Sequence, residues 1–199
     1  MSESQVDSAK RTWIVATGCA GAVGAGFVAV PFVKSFEPSE RARAAGAPVE
    51  VDIGGIKPGE KLTVEWRGKP VWVVRRTPEQ LAALPKVDAL LADPKSARKP
   101  AELTPAYARN EYRSIKPEIF VTVGICSHLG CSPSDKFTPG AQPSLPSDWA
   151  GGFLCPCHGS TFDMAGRVYK NKPAPDNLEV PPHMYLSDTR LIIGEDGKA

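Results

Sequence analysis

The sequence predicts a mainly β fold: a small antiparallel domain with inserted loops, preceded by one N-terminal transmembrane helix. Three observations carry that expectation. Gly 18 and Pro 20 make up nearly a fifth of the 199 residues, which calls for many turns and argues against a helical bundle. Several short segments alternate apolar with polar residues, the period of a half-buried strand. Residues 12–33 carry no charge at all. The length suits one small domain plus an anchor. Lys+Arg 24 against Asp+Glu 22 leaves a net charge of +2, which gives no electrostatic case for a nucleic-acid partner.

Residues 12–33 read TWIVATGCAGAVGAGFVAVPFV. As a helix they would extend roughly 33 Å, enough to cross a hydrocarbon core. Trp13 is placed for the membrane interface, and Cys19 reads as a free thiol packed in lipid. Gly18, Ala22 and Gly26 recur every four residues, a spacing that lets another transmembrane helix approach closely. Lys10-Arg11 before the run resembles a Lys-Arg variant of a twin-arginine export signal. The alternative is a cleaved signal peptide, with Ala45-Gly46-Ala47 as its cleavage site; a retained anchor fits the length better. The basic residues on the two sides of the span do not orient it. The expected organisation is a tail (1–11), an anchor (12–33), a Pro- and Ala-containing hinge (34–48) and a domain (49–199).

Within that domain, Val49, Val51 and Ile53 alternate with Glu50 and Asp52. Leu62, Val64 and Trp66 do the same, a turn is expected at Gly68-Lys69, and residues 70–74 return, so 61–75 reads as a hairpin. Thr77-Pro78-Glu79 supplies a cap, a proline for the first helical position and an acid for the first turn. Residues 77–115 then show a proline-broken helical pattern, read as an excursion from the sheet. Strands are expected at 119–123, at Phe153-Leu154 and at 190–193. His183 reads as a surface or turn residue and the acids as solvated charges. No nucleophilic triad or phosphate loop is evident.

Four of the five cysteines, Cys126, Cys131, Cys155 and Cys157, fall within 32 residues, together with His128 and His158. They form two clusters, CSHLGC (126–131) and CPCHGS (155–160). Three chemistries fit. Two disulfides would suit an exported domain but leave both imidazoles incidental. A Cys2His2 zinc site in a non-enzymatic binding module would leave two thiols unexplained. A two-iron, two-sulfide cluster, with two thiolates on one iron and two imidazoles on the other, leaves two thiols free to pair and gives all six groups a task.

These two loops resemble those of the Rieske iron–sulfur proteins. The extra cysteine in each resembles the high-potential branch found in cytochrome bc₁ complexes. Lys172-Pro173-Ala174-Pro175 with Asn177 to Pro181 resembles that family's proline-rich loop, and Trp66 to Pro70 its early hairpin. The resemblance therefore covers nearly the whole chain. It implies a Rieske-type domain with cluster-binding loops at about 124–175, holding one [2Fe–2S] cluster. Cys126 and Cys155 would hold the inner iron, His128 and His158 the outer one, and Cys131 and Cys157 would form a disulfide. Ser160 would donate a hydrogen bond to a cluster sulfide, and Leu129 would shield the outer side. Two departures stand out. Phe162 occupies a position where the family commonly has a tyrosine, and Lys172 one where the proline loop commonly begins with glycine.

The resemblance further implies a subunit, inactive alone, of a quinol–cytochrome c oxidoreductase (a translocase) in a bacterial inner membrane. Its partners would be cytochrome b and cytochrome c₁ in a dimeric complex, with ubiquinol and membrane lipid. The tail would be cytoplasmic and the domain periplasmic. His158, with His128 second, would accept the quinol's hydrogen bond and couple a proton to electron transfer. The hinge would let the domain swing between quinol site and cytochrome. A Rieske subunit of an arsenite-oxidase-type molybdoenzyme is the alternative enzyme class.

Overall fold

A computed structural model describes residues 7–98 and 103–197 of the chain. It divides into two compact units between Ala44 and Ala45. In the first, helix α1 (Ser8–Lys34) starts where the Asp7 carboxylate accepts the N–H groups of Ala9 and Lys10. Lys10 and Arg11 therefore lie in its first turns, ahead of the uncharged run. Residues 1–6 of the expected tail lie outside the described residues. The helix has 27 residues, about 40 Å at 1.5 Å each. None of them is buried, and the apolar side chains face every direction, as a span surrounded by lipid requires. A second helix, α2 (Glu40–Ala45), lies within the stretch read as a hinge. The Ser39 hydroxyl accepts from the Ala42 N–H near its start.

Among its described residues, the second unit holds nine strands in three antiparallel sheets of three. The first has the order β1 (Val49–Asp52), β9 (Arg190–Ile193), β8 (His183–Tyr185). The second is β2 (Lys61–Trp66), β3 (Lys69–Arg75), β4 (Ile119–Val123). The third is β5 (Ser134–Lys136), β6 (Gly152–Leu154), β7 (Thr161–Asp163).

The middle sheet separates two cores. Successive side chains of a strand point to opposite faces. Val71, Val73, Ile119, Val121 and Val123 thus pack with Val51, Ile53, Leu191 and Ile193 of the first sheet. Trp72, Val74 and Phe120 pack the other way, with Phe153, Phe162, Cys126 and Cys155. Burial on both faces explains why β3 and β4 are near-continuous apolar runs. The Trp72 ring stacks on Phe153 at 5.2 Å, locking the second sheet to the third. Gly124, which follows β4, lies so close to that indole that an added Cβ would come within 2.2 Å of it.

The β2–β3 hairpin turns at Arg67-Gly68, one residue before the expected position. Lys69 pairs with Trp66 inside the ladder. Arg67 and Gly68 have φ of 52° and 69°, the left-handed pair that a tight two-residue hairpin turn demands. Helix α3 (Pro78–Ala83) starts as expected, with Thr77 and Gln80 forming a reciprocal capping box. The excursion continues through 3₁₀ turns at Leu84–Leu90 and Ala106–Ala108; residues 99–102 of it lie outside the described residues.

Two expectations are overturned. His183 is 1% exposed on β8, where its ring packs edge-on against Tyr107 and its Nδ1 lies 2.8 Å from the Pro181 carbonyl. Asp163 is not a solvated charge. It is 1% exposed and accepts from the Ala165 and Arg167 N–H groups and from the Arg167 guanidinium. A carboxylate so fully paired tolerates a burial that a free one would not.

Candidate metal centre

Strand β4 runs through Gly124 into the first loop, Cys126 to Cys131, which then leads to β5. Strand β6 runs directly into the second, Cys155 to Ser160, whose far end begins β7. The two loops share one hydrogen-bond frame. In the first, the Cys126 N–H donates to the Cys131 carbonyl and the Gly130 N–H to the Cys126 carbonyl. In the second, the Cys155 N–H donates to the Ser160 carbonyl and the Gly159 N–H to the Cys155 carbonyl. Gly130 and Gly159 have φ of 82° and 72°, which their shared position in the turn requires of them.

That frame sorts the side chains by depth. Cys126 and Cys155, at the root of each loop, are each 2% exposed and unbonded to another sulfur. His128 is half-buried and His158 exposed, and their rings meet edge-on with centroids 4.8 Å apart. Cys131 and Cys157 form a disulfide that ties one loop to the other. Their sulfurs and that of Cys155 all lie within 4.8 Å of one another. Only the last of those three is available as a ligand, because the other two are spent on each other. Leu129 projects from the first loop and is 71% exposed.

A further loop completes the site. Ser160 is buried, and its Oγ accepts the Ala174 N–H at 3.0 Å, leaving its own hydrogen to donate toward the Cys126 sulfur. Ser127 Oγ donates to the Asp176 carbonyl at 2.6 Å. Both loops are therefore clasped to residues 174–176. Burial pushes the Cys126 thiol above its ordinary value, and adjacent Cys155 adds to that. The His128 N–H and the Ser160 hydroxyl pull the other way.

Ser127 and the buried polar residues Arg76, Arg113, Arg167 and Asn177 carry the supports of this site, and sequence reasoning passed over all five. Asn177 accepts the Val168 N–H and donates to the Asp93 carbonyl and Ser96. An arginine in sequence looks the same whether it ends in water or on carbonyls, so no local signal could have found those three. Ser127 and Asn177 sit inside recognisable motifs, and that position was the available signal.

The donors left over are two buried thiols and two outward imidazoles. That set suits a [2Fe–2S] cluster with mixed ligation, and also a tetrahedral zinc ion. Comparison with known proteins separates the two. Residues 107–182 match the Rieske [2Fe-2S] domain family, and residues 6–39 the TAT signal of the ubiquinol–cytochrome c reductase Fe-S subunit. A ubiquinol-cytochrome c reductase iron-sulfur subunit from Allochromatium vinosum is 58% identical, over 94% of this chain and 88% of that one. One from Bradyrhizobium diazoefficiens is 40% identical, over 90% of each chain. A solved structure titled "Hyperthermophilic respiratory Complex III" aligns over 89% of this chain and 97% of that one, at 27% identity and a TM-score of 0.46. The domain thus carries a [2Fe–2S] cluster of the Rieske type.

Proposed function

This chain belongs to the iron–sulfur subunits of ubiquinol–cytochrome c reductase, and on that premise we propose that it carries single electrons from ubiquinol to cytochrome c₁. The carrier would be held by Cys126 and Cys155 on the inner iron and by His128 and His158 on the outer iron. When bound, it supplies a one-electron acceptor whose neutral imidazole ligands place its potential at roughly −150 to +300 mV. The observation that supports this reading is the sorting by depth: thiols inside, imidazoles at the surface, and a disulfide holding the two loops together.

The remaining chemistry belongs to the chain's own residues. Exposed His158 accepts the quinol hydroxyl's hydrogen bond, and then its proton, at the ring nitrogen not used for iron; His128 is the second candidate. Leu129 would shield the outer side of the cluster, and the disulfide would hold the two loops together around it. Ser160 and its backbone neighbours stabilise the more negative, reduced state by donating toward sulfur. A cleft of about 400 Å³ beside Trp149 and Tyr169 contains none of these loop residues apart from the rim they share with β7. The imidazoles lie on the surface, so a quinol site around them must be completed by a partner subunit, cytochrome b in this reading.

The anchor would place the domain on the periplasmic side of a bacterial inner membrane, within a dimeric complex. Residues 34–48 would act as the hinge through which the domain alternates between cytochrome b and cytochrome c₁. Electron paramagnetic resonance on dithionite-reduced membranes, with and without a quinol-site inhibitor, tests the reading. A rhombic Rieske signal that shifts with inhibitor, in a preparation that copurifies with b- and c-type hemes, supports it. A signal indifferent to inhibitor and free of those hemes contradicts the quinol role and keeps the cluster.

A further inference from the structure

Residues 173–180 form a strut that touches everything the centre depends on. Ala174 and Asp176 clasp Ser160 and Ser127, one in each cysteine–histidine loop. The Glu179 carbonyl accepts from the Val123 N–H and the Thr122 hydroxyl, at the end of the strand that feeds the first loop. Behind the strut, beside the bonds of Asn177 to Val168, Asp93 and Ser96, lies Arg113. This side chain is fully buried. Its Nη1 donates to the carbonyls of Ala165 and Gly166 at 2.9 and 3.2 Å. Its Nη2 donates to the Leu178 carbonyl and the Thr104 hydroxyl, both at 2.7 Å. The Nε–H meets no acceptor among the described residues, and the two ends of the fork set its position.

Two further features mark Arg113 as more than a filler. Its backbone has φ of 49°, a left-handed conformation that costs a residue with a side chain and persists only where its surroundings require it. The carbonyls it binds join two segments. Residues 165–166 follow β7, which leaves the second loop, and Leu178 belongs to the strut. A direct bond from the Leu178 N–H to the Gly166 carbonyl, 2.8 Å, closes the same junction. A planar, always-charged fork is the one side chain that satisfies carbonyls on both sides of such a junction at once; an ammonium lacks that geometry.

We propose that Arg113 is a positioning residue for the cluster: by clamping Gly166 and Leu178 it fixes the strut, and through the strut the Ser127 clasp on the first loop and the placement of the Ser160 hydroxyl, and so tunes the reduction potential. The proposal rests on the cluster assignment above. Among the described residues Arg113 makes no hydrogen bond to either loop, so its influence passes through the strut and through residues 165–166, which continue from β7. A purely electrostatic influence would need only its charge, and that difference can be tested.

The experiment compares wild type, Arg113→Lys and Thr104→Val, each as the full chain in membranes with the whole complex. It reads the midpoint potential, the resonance spectrum and hydrogen exchange of the Ala174 and Leu178 amides. Arg113→Lys keeps the charge and loses the fork. It is expected to lower the midpoint, shift the spectrum, and speed exchange at both amides by about tenfold or more, the signature of a local opening. Thr104→Val removes only one hydroxyl partner and is expected to move all three readouts the same way by less. It decides the matter should Arg113→Lys fail to accumulate. Unchanged midpoints in folded variants, with or without faster exchange, overturn the proposal while a normal wild-type Rieske signal leaves the cluster assignment standing. A wild type without that signal overturns the assignment itself, and the proposal with it.

Discussion

The two faces of the middle sheet have been built to different specifications. On one, β1, β9 and the inward residues of β3 and β4 make a core of valine, isoleucine and leucine closed by Trp66. On the other, Trp72, Phe120, Phe153 and Phe162 surround two unpaired thiols. Arg76, Arg113 and Arg167 are buried close by: Arg76 and Arg113 donate to carbonyls of residues 164–166, and Arg167 to the Asp163 and Asp88 carboxylates and the Leu84 carbonyl. The aliphatic face is self-sufficient, because burial of apolar surface needs no geometry beyond shape. The aromatic face depends on hydrogen bonds, each of which must find its partner. The lesson is that one sheet can serve as scaffold on one side and as a mount for chemistry on the other. Damage to the two sides should read out differently.

The largest expected contrast comes from the ligands. Cys126→Ser should abolish the Rieske resonance and the bound iron, while circular dichroism of the β fold stays near wild type. Retention of a normal resonance would remove Cys126 from the ligand set. Next comes Leu191→Ala, which opens a cavity on the aliphatic face where Leu191 is fully buried. It should cost about 2–5 kcal/mol in chemical denaturation. The midpoint potential of the folded fraction should stay unchanged; a shifted midpoint would mean the two faces are not independent.

Smaller effects test the aromatic face. Ser160→Ala removes a hydroxyl directed at the Cys126 sulfur. A hydrogen bond to a charged acceptor contributes about 1.5–3 kcal/mol. At about 59 mV per tenfold for one electron, the midpoint should fall by on the order of 60 mV or more. Phe162→Tyr acts in the opposite sense. Phe162 is fully buried in the same hydrophobic cluster as Cys126 and Cys155, and a hydroxyl there that donates to sulfur should raise the midpoint by a smaller amount. Redox titration followed by the resonance signal checks both signs.

The smallest effect belongs to His183. Burial lowers its pKa below the ordinary 6.5, and the Pro181 carbonyl only partly opposes that. Among the described residues its buried Nε2 has no partner for a second proton. The unfolded chain takes up that proton more readily than the folded one. The stability His183 contributes is therefore present above pH 6.5 and lost as the pH falls through the folded pKa. The melting temperature should decline on acidification, and less steeply in His183→Gln than in wild type; parallel declines would contradict this.

How much was legible follows from the same contrast. Strands β1 to β4 and β9 announce themselves through alternation or continuous apolar runs, and the Thr77 cap through its residue pattern. Strands β5, β7 and β8 have three residues each, too few for any period to appear. The hairpin turn fell one residue off because an arginine gives no hint of a left-handed φ. The cysteine–histidine loops were legible because their spacing is itself the chemistry. Their supports were not, since Arg113 and Asn177 gain their roles from carbonyls brought to them by distant segments, and Asp163 from a turn whose amides fold back on it. His183 was misplaced for a related reason: among prolines in PPHMY it carries turn signals, and a two-faced fold buried it.

On the proposed reading, the two loops jointly hold one cluster through two thiols and two imidazoles. Electron–nuclear double resonance on the reduced protein, read for nitrogen, tests it most directly. The account predicts couplings from two distinct imidazole nitrogens, with the signal lost in both His128→Ala and His158→Ala. A reduced cluster with no strongly coupled nitrogen, or one unaffected by either substitution, would contradict it.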